Sequence, residues 1–210
     1  MSKNIVFIPI KQISERVPNK NFRSFQGKTL WEHTIDKLKS FKVYIDTDSS
    51  SIIEKCKSKP WVTTYKRNSN LLGNRVSVVD ILDNFITKYN ITTPICQIHV
   101  TSPLLQVEHI NHSFSLINKD FDSVFGVTKT QKRFWGENGL PLNHNPKKLL
   151  PTQDLQVWYE ENSYLYTFKP KVITECGNRI GGHFHMMEIG FPYNLDIDTE
   201  DDWNLINKLI

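Results

Sequence analysis

Eleven residues, 11–21, bring together three cationic side chains, Lys11, Arg16 and Lys20, with the hydroxyl of Ser14, the amide of Asn21 and the stiff ring of Pro18. They follow directly on an apolar run, Ile5–Ile10, in the order Ser14-x-Arg16-x-Pro18-x-Lys20-Asn21. A triphosphate needs charge-assisted donors arriving from several directions, with a planar guanidinium and point-charge ammonium groups among them. It also needs exposed backbone N–H groups, which a compact loop after a strand supplies. Charge content alone would equally describe an exposed polar loop. The spacing is what singles this one out.

Asp196 and Asp198 flank Ile197. Alternation along a strand over 194–199 predicts both carboxylates on one side and the isoleucine in the core. Mg²⁺ (or Mn²⁺) is typically held by one or two carboxylates together with substrate phosphates, so the pair is a candidate metal site. An isolated Asp-x-Asp also serves as a solvated turn or helix cap. Asp201 and Asp202 read as first-turn acids favoured by the dipole of a final helix over 200–209. His183-Phe184-His185 has chelating spacing on a strand, but no third ligand and no H-E-x-x-H accompanies it, so a solvated or core pair is the plainer reading. No G-x-x-x-x-G-K-[ST] loop is present.

These residues must be positioned by regular elements. The continuous apolar run Ile5–Ile10 suits a buried strand of a parallel sheet. Helical spacing follows over 30–38, a strand over 42–46, a helix through Cys56 capped by 47–50, and a short strand over 61–65. Val78, Val79, Leu82, Phe85 and Ile86 make an amphipathic helix with Ser77 near its start. A strand over 94–100, a helix over 107–117 and strands over 123–127 and 164–168 complete the alternation. The rhythm predicts an α/β chain with a mostly parallel sheet covered on both faces, in which ligands sit beyond the carboxyl ends of the strands. Asn162 and Tyr166, four apart, are predicted to share one face of their strand. Only 128–155 breaks the rhythm, and it reads as a protruding arm or a lid on a single domain, 1–210.

The chain has 210 residues, a 39% hydrophobic and 23% charged composition, and a formal net charge of +4. That charge suits an anionic ligand such as a nucleotide but is too weak to imply a nucleic-acid surface. No apolar run approaches the ~18 residues of a membrane span, and no leader is expected at the start. Cys56, Cys96 and Cys176 are odd in number and scattered, which favours a reducing, cytoplasmic compartment.

The sequence resembles the acylneuraminate cytidylyltransferase family and its relatives, the CMP-Kdo synthetases. The likeness begins in the loop bearing Ser14, Arg16, Pro18, Lys20 and Asn21 and continues through Gly27-Lys28-Thr29-Leu30. Tyr44-Ile45-Asp46-Thr47-Asp48-Ser49, Thr101-Ser102-Pro103-Leu104 and Gln153-Asp154-Leu155 follow. Glu161-Asn162-Ser163-Tyr164-Leu165-Tyr166 comes next, and Asp196-Ile197-Asp198-Thr199-Glu200-Asp201 closes the series. The chain departs from that pattern in having Lys11 for an arginine, which loses the bidentate fork. It also has Glu15 for a lysine, and His99-Val100 where the sialic-acid enzymes have Gln-Pro.

The resemblance implies a three-layer αβα, Rossmann-like nucleotide-diphospho-sugar transferase fold with 128–155 as a dimerisation arm. It implies transfer of CMP from CTP to a 2-keto acid sugar, a sialic acid or related nonulosonate, with release of pyrophosphate. Arg16, Lys20 and Asp198 are then the expected catalytic groups, and Asp196 and Asp198 the Mg²⁺ ligands. Lys11, Ser14, Asn21, Arg67 and Ser77 are expected on the nucleotide, and His99, Thr101, Ser102, Asn162 and Tyr166 toward the sugar. A CMP-Kdo-type synthetase, a cytidylyltransferase for another acid, and a non-catalytic nucleotide-binding relative are the alternatives. Expected partners are CTP, the acid sugar and a second copy of the chain, with no nucleic acid and no membrane.

Overall fold

A computed structural model describes residues 3–14, 16–73, 75–117 and 119–209. Its first strand, β1 (Ile5–Ile10), is almost wholly buried, as a continuous apolar run in a covered sheet should be. A two-stranded hairpin, β2 (Ser24–Phe25) and β3 (Lys28–Thr29), turns through Gln26 and Gly27, both at positive φ. Helix α1 (Leu30–Asp36) then starts with a capping box between Thr29 and Glu32. Strand β4 (Lys42–Thr47) leads to α2 (Ser50–Cys56), whose first turn is closed by Ser49 Oγ accepting from Ile52 N–H. Next come β5 (Val62–Lys66), α3 (Val78–Tyr89), β6 (Ile95–Ile98) and α4 (Val107–Ile117). The second half holds β7 (Ser123–Thr130), β8 (Trp158–Phe168), α5 (Lys171–Cys176), β9 (Phe184–Glu188) and α6 (Glu200–Lys208).

The large sheet has the order β5-β4-β1-β6-β8-β7-β9. Its pairings are parallel except at β8, which runs antiparallel to both β6 and β7. Alternation along β1 sends Val6, Ile8 and Ile10 to one face, against α1, α2 and α4, while Ile5 and Phe7 face α3 and α5. This is the three-layer arrangement the rhythm predicts. A third, smaller cluster joins Val17, Phe25 and Leu30 to Ile197, Trp203 and Ile206, so the loop after β1 is packed onto α6.

Three elements were not anticipated: the β2–β3 hairpin, α5, and β9 as the far edge strand. One expected strand is absent. Residues 194–199 form no ladder, because their backbone donors are used elsewhere. Ile197 N–H reaches Thr101 O (2.9 Å), and the Asp202 carboxylate takes the N–H groups of Asp198 (3.1 Å) and Thr199 (2.8 Å) in capping α6. The shared face expected for Asn162 and Tyr166 is also absent. Between Phe125 and Val127 the β7–β8 register slips, so that Val127 pairs with Glu161 whereas Phe125 pairs with Tyr166. Ser163 adopts φ 54° within that slip. Period-two alternation fails across such a bulge. Asn162 turns to Thr128 Oγ1 (3.1 Å), and Tyr166 joins the opposite cluster, 1% exposed. Beyond β7, residues 131–157 hold one short helical turn, Thr152–Asp154, and a single bridge between Trp135 and Pro141.

Candidate active site

At the carboxyl ends of β1, β5 and β6 lies a cleft of about 370 Å³, lined by Lys11, Ser14, Arg16, Lys20 and Asn21 from the loop after β1 and by His99 and Thr101 after β6. Arg67 and the apolar wall Val76, Val78 and Ile81 face them. The loop holds its shape through its own amide: Asn21 Nδ2 donates to Lys11 O (2.8 Å). Asn19 takes the left-handed conformation (φ 53°) that an asparagine tolerates at modest cost. Lys11 Nζ reaches across to Gly73 O (3.2 Å), and Gln12 N–H donates to Asp48 Oδ1 (2.7 Å), tying this loop to the end of β4.

Lys20 is the pivot. It is 8% exposed, and its ammonium donates to the carbonyl of Ile197 while standing 3.7 Å from Asp198 Oδ1. Burial lowers its pKa, and Asp196 and Asp198 pull the other way. Arg16, far more open, lies 2.8 Å from the same Asp198 oxygen. Asp196 Oδ1 accepts from Ser102 Oγ (3.2 Å), and Ser102 is buried. The three motifs from residues 11–21, 101–104 and 196–201 thus meet, although the last is a docked, irregular segment rather than a strand. Asp196 and Asp198 are half-buried; among the described residues Asp196 accepts from Ser102, and Asp198 is engaged by the cationic side chains of Arg16 and Lys20. Two hard, partly open carboxylates beside a cationic loop fit the oxygen-donor chemistry that would hold Mg²⁺.

Arg67 does reach the cleft wall, but its guanidinium is ion-paired with the fully buried Asp46, whose pKa burial raises and Arg67 draws back down. Arg67 is therefore a neutralised wall, not a free cation. Ser77 caps α3, its Oγ accepting from Val79 N–H (3.1 Å), and the cleft is lined by its neighbours instead. Tyr166 does not reach the cleft: its hydroxyl donates to Glu161. Asn162 lies with Thr128 and Asn194 behind β7. Glu15 lies outside the described residues. His183 and His185 pack on the Phe121 ring, and His183 Nδ1 meets Asp120 O (2.9 Å).

Two residues of the site region were missed. Gln97, two before His99 and hence on the same side of its strand, was legible from alternation. Arg179 came from a stretch with no usable period. His99 Nε2 lies 2.7 Å from Gln97 Nε2, and Gln97 Oε1 accepts from Arg179 (2.6 Å). Burial holds the His99 pKa down at about 4, with Asp196 opposing and Arg179 and Lys20 assisting.

Residues 5–209 match the family model described as cytidylyltransferase. N-acylneuraminate cytidylyltransferase A of Danio rerio is 29% identical across 94% of this chain and 48% of its own length. CMP-N,N'-diacetyllegionaminic acid synthase of Legionella pneumophila is 25% identical across 98% of this chain and 95% of its own. The chain spans about half the length of the Danio rerio and Streptococcus agalactiae relatives. In fold it resembles CMP:2-keto-3-deoxy-manno-octonic acid synthetase complexed with CTP, with a TM-score of 0.70 and 13% identity over 99% of this chain and 98% of the other. It also resembles 4-diphosphocytidyl-2C-methyl-D-erythritol synthase, with a TM-score of 0.68 and 13% identity over 100% and 99%.

Proposed function

The chain belongs to the cytidylyltransferase family, and on that premise we propose that it transfers CMP from CTP to a 2-keto acid sugar of the nonulosonate type, releasing pyrophosphate. The observation that carries this reading is the meeting of Lys11, Arg16 and Lys20 at one cleft with Asp196 and Asp198 beside them.

In the reaction the sugar's anomeric hydroxyl attacks the α-phosphorus of CTP. A new O–P bond forms, the bond to the bridging α–β oxygen breaks, the hydroxyl proton is lost, and pyrophosphate departs. Positioning and charge neutralisation supply most of the rate in such transfers. Lys11, Arg16 and Lys20 hold the phosphates, with Ser14 and Asn21 shaping the loop. Arg67 and the region around Ser77 form the nucleotide's apolar-backed wall. His99 and Thr101 face the acid sugar, and Ser102, buried behind them, holds Asp196. Tyr166 supports that side from beneath, and Asn162 braces β7. Asp196 and Asp198 would hold Mg²⁺ or Mn²⁺, which when bound screens the phosphate charge and acidifies a coordinated hydroxyl.

Residues 128–155 we assign to a two-fold interface, as an arm. Trp135, Leu140, Leu142 and Leu149 are exposed there, Leu149 by 82%, and large apolar groups gathered in one segment call for a partner surface. Lys132 or Arg133 would then approach the partner's sugar pocket. No helix among the described residues is long and apolar enough to cross a membrane, and we place the enzyme in the cytoplasm. The deciding experiment supplies CTP and Mg²⁺ with a panel of sialic, legionaminic, pseudaminic and Kdo-type acids and follows pyrophosphate. Release with one nonulosonate supports the reading; release with Kdo alone moves the chain to the CMP-Kdo branch; no release with any acid overturns it.

A further inference from the structure

Behind His99 a polar chain runs into the sheet. Gln97 is fully buried and sits directly across the β6–β8 ladder from Tyr166. The Arg179 guanidinium lies over the Tyr166 ring, 3.5 Å from its centroid, and its Nη1 donates to Gln97 Oε1 (2.6 Å). Tyr166 in turn donates to Glu161. Among the described residues Arg179 Nε is buried without a hydrogen-bond partner, a costly arrangement for packing alone.

The donor and acceptor inventory leaves one solution. A guanidinium has only donors, so the amide oxygen of Gln97 must face Arg179. The amide nitrogen therefore faces His99 Nε2 at 2.7 Å, and it too can only donate. Nε2 must accept, which makes the ring neutral and puts its proton on Nδ1. We propose that Arg179 is a positioning residue that, acting through Gln97, fixes His99 in the Nδ1–H tautomer, so that the ring offers a donor to an acceptor oxygen of the acid sugar. The charged groups around the ring, Asp196 and Asp198 against Lys20 and Arg179, together with burial, leave it neutral at ordinary pH. The sugar-facing half of this inference rests on the function proposed above; the tautomer does not.

Long-range ¹H–¹⁵N spectra of the 210-residue chain, with His99 assigned through His99→Asn, read the tautomer directly. The wild type should show a pyrrole-like Nδ1 and a pyridine-like Nε2. Gln97→Glu keeps the shape but can only accept, so the ring should reverse to Nε2–H. The sugar KM should then rise about three- to ten-fold, the cost of one hydrogen bond, while the CTP KM stays within about two-fold. Arg179→Met releases the amide to flip and should give mixed tautomers, whereas Arg179→Lys keeps a donor and should restore one. An Nε2–H tautomer in the wild type, or an unchanged tautomer in folded Gln97→Glu, overturns the inference. So does a reversed tautomer with an unchanged sugar KM. If no acid sugar is turned over at all, the proposed function fails, and the wild-type tautomer alone decides this assignment.

Discussion

Arg16 lies 2.8 Å from Asp198 and Lys20 lies 3.7 Å from the same carboxylate oxygen, so the loop after β1 and the segment before α6 are bound into one charged unit. The two segments are 177 residues apart at the Lys20 to Ile197 hydrogen bond. Removing either side of that unit should affect architecture and, on the proposed function, nucleotide binding together.

Lys20→Ala should therefore fail twice. The loss of a charge-assisted phosphate contact should weaken CTP binding by about 1.5–3 kcal/mol. Leaving the Ile197 carbonyl without its donor should also lower the midpoint of thermal unfolding. Calorimetric titration with CTP and a melting curve check the two effects; unchanged CTP affinity would remove this loop from the nucleotide site.

Asp198→Asn is nearly isosteric but loses a hard anionic ligand. Activity should collapse across a Mg²⁺ titration, while CTP measured without metal should bind at least as well, because Arg16 and Lys20 are released from a competing carboxylate. Full activity at ordinary Mg²⁺ concentration would make the Asp196 and Asp198 pair purely structural.

Acid should destabilise the fold through His33. Burial, with Lys37 adding to it, lowers its pKa from an ordinary 6.5 to about 4. Below pH 6.5 the unfolded chain takes up a proton that the folded one refuses, so stability should fall as pH drops from 6.5 toward 4. The slope from this half-buried group stays below about 1.4 kcal/mol per pH unit. His99 acts with the same sign. Denaturant midpoints measured across this range for His33→Gln should fall less steeply than those of the wild type.

Gly126 has no room for a methyl group. A Cβ there would stand 2.6 Å from Asn162 Oδ1 and 3.1 Å from Tyr164 Cβ. Asn162 is held by Thr128 Oγ1 and by Tyr164 N–H, so it cannot simply swing away. Gly126→Ala should cost about 1–3 kcal/mol, read from denaturant unfolding.

The exposed apolar groups of 128–155 lead to an expectation about assembly. Wild-type protein at micromolar concentration should sediment as a dimer, given an interface well over ~1,000 Å². Trp135→Ala combined with Leu140→Asp should give monomers; a dimer that persists in that variant would place the interface elsewhere.

The sequence by itself determined the layered α/β class and most of its elements. Apolar period and turn chemistry are local properties, and β1, α2, α3 and α4 are written in them. It also marked Lys11, Ser14, Arg16, Lys20 and Asn21, because a loop directly after a buried strand has one place to go in a parallel sheet, while His99 and Thr101 came from the family resemblance. The structure alone decided what depends on partners distant in sequence. Asp196 and Asp198 read as strand residues, but the segment's N–H groups were claimed by the Asp202 cap and by Thr101, which no local period announces. Asn162 and Tyr166 read as one face until the slipped β7–β8 register parted them. Arg67 and Ser77 read as ligand contacts, yet a buried aspartate and a helix terminus had the stronger claim on their polar atoms. Arg179 joined the site region only because the chain between α5 and β9 lays its guanidinium across Tyr166. That is a packing contact, and packing leaves no period in a sequence.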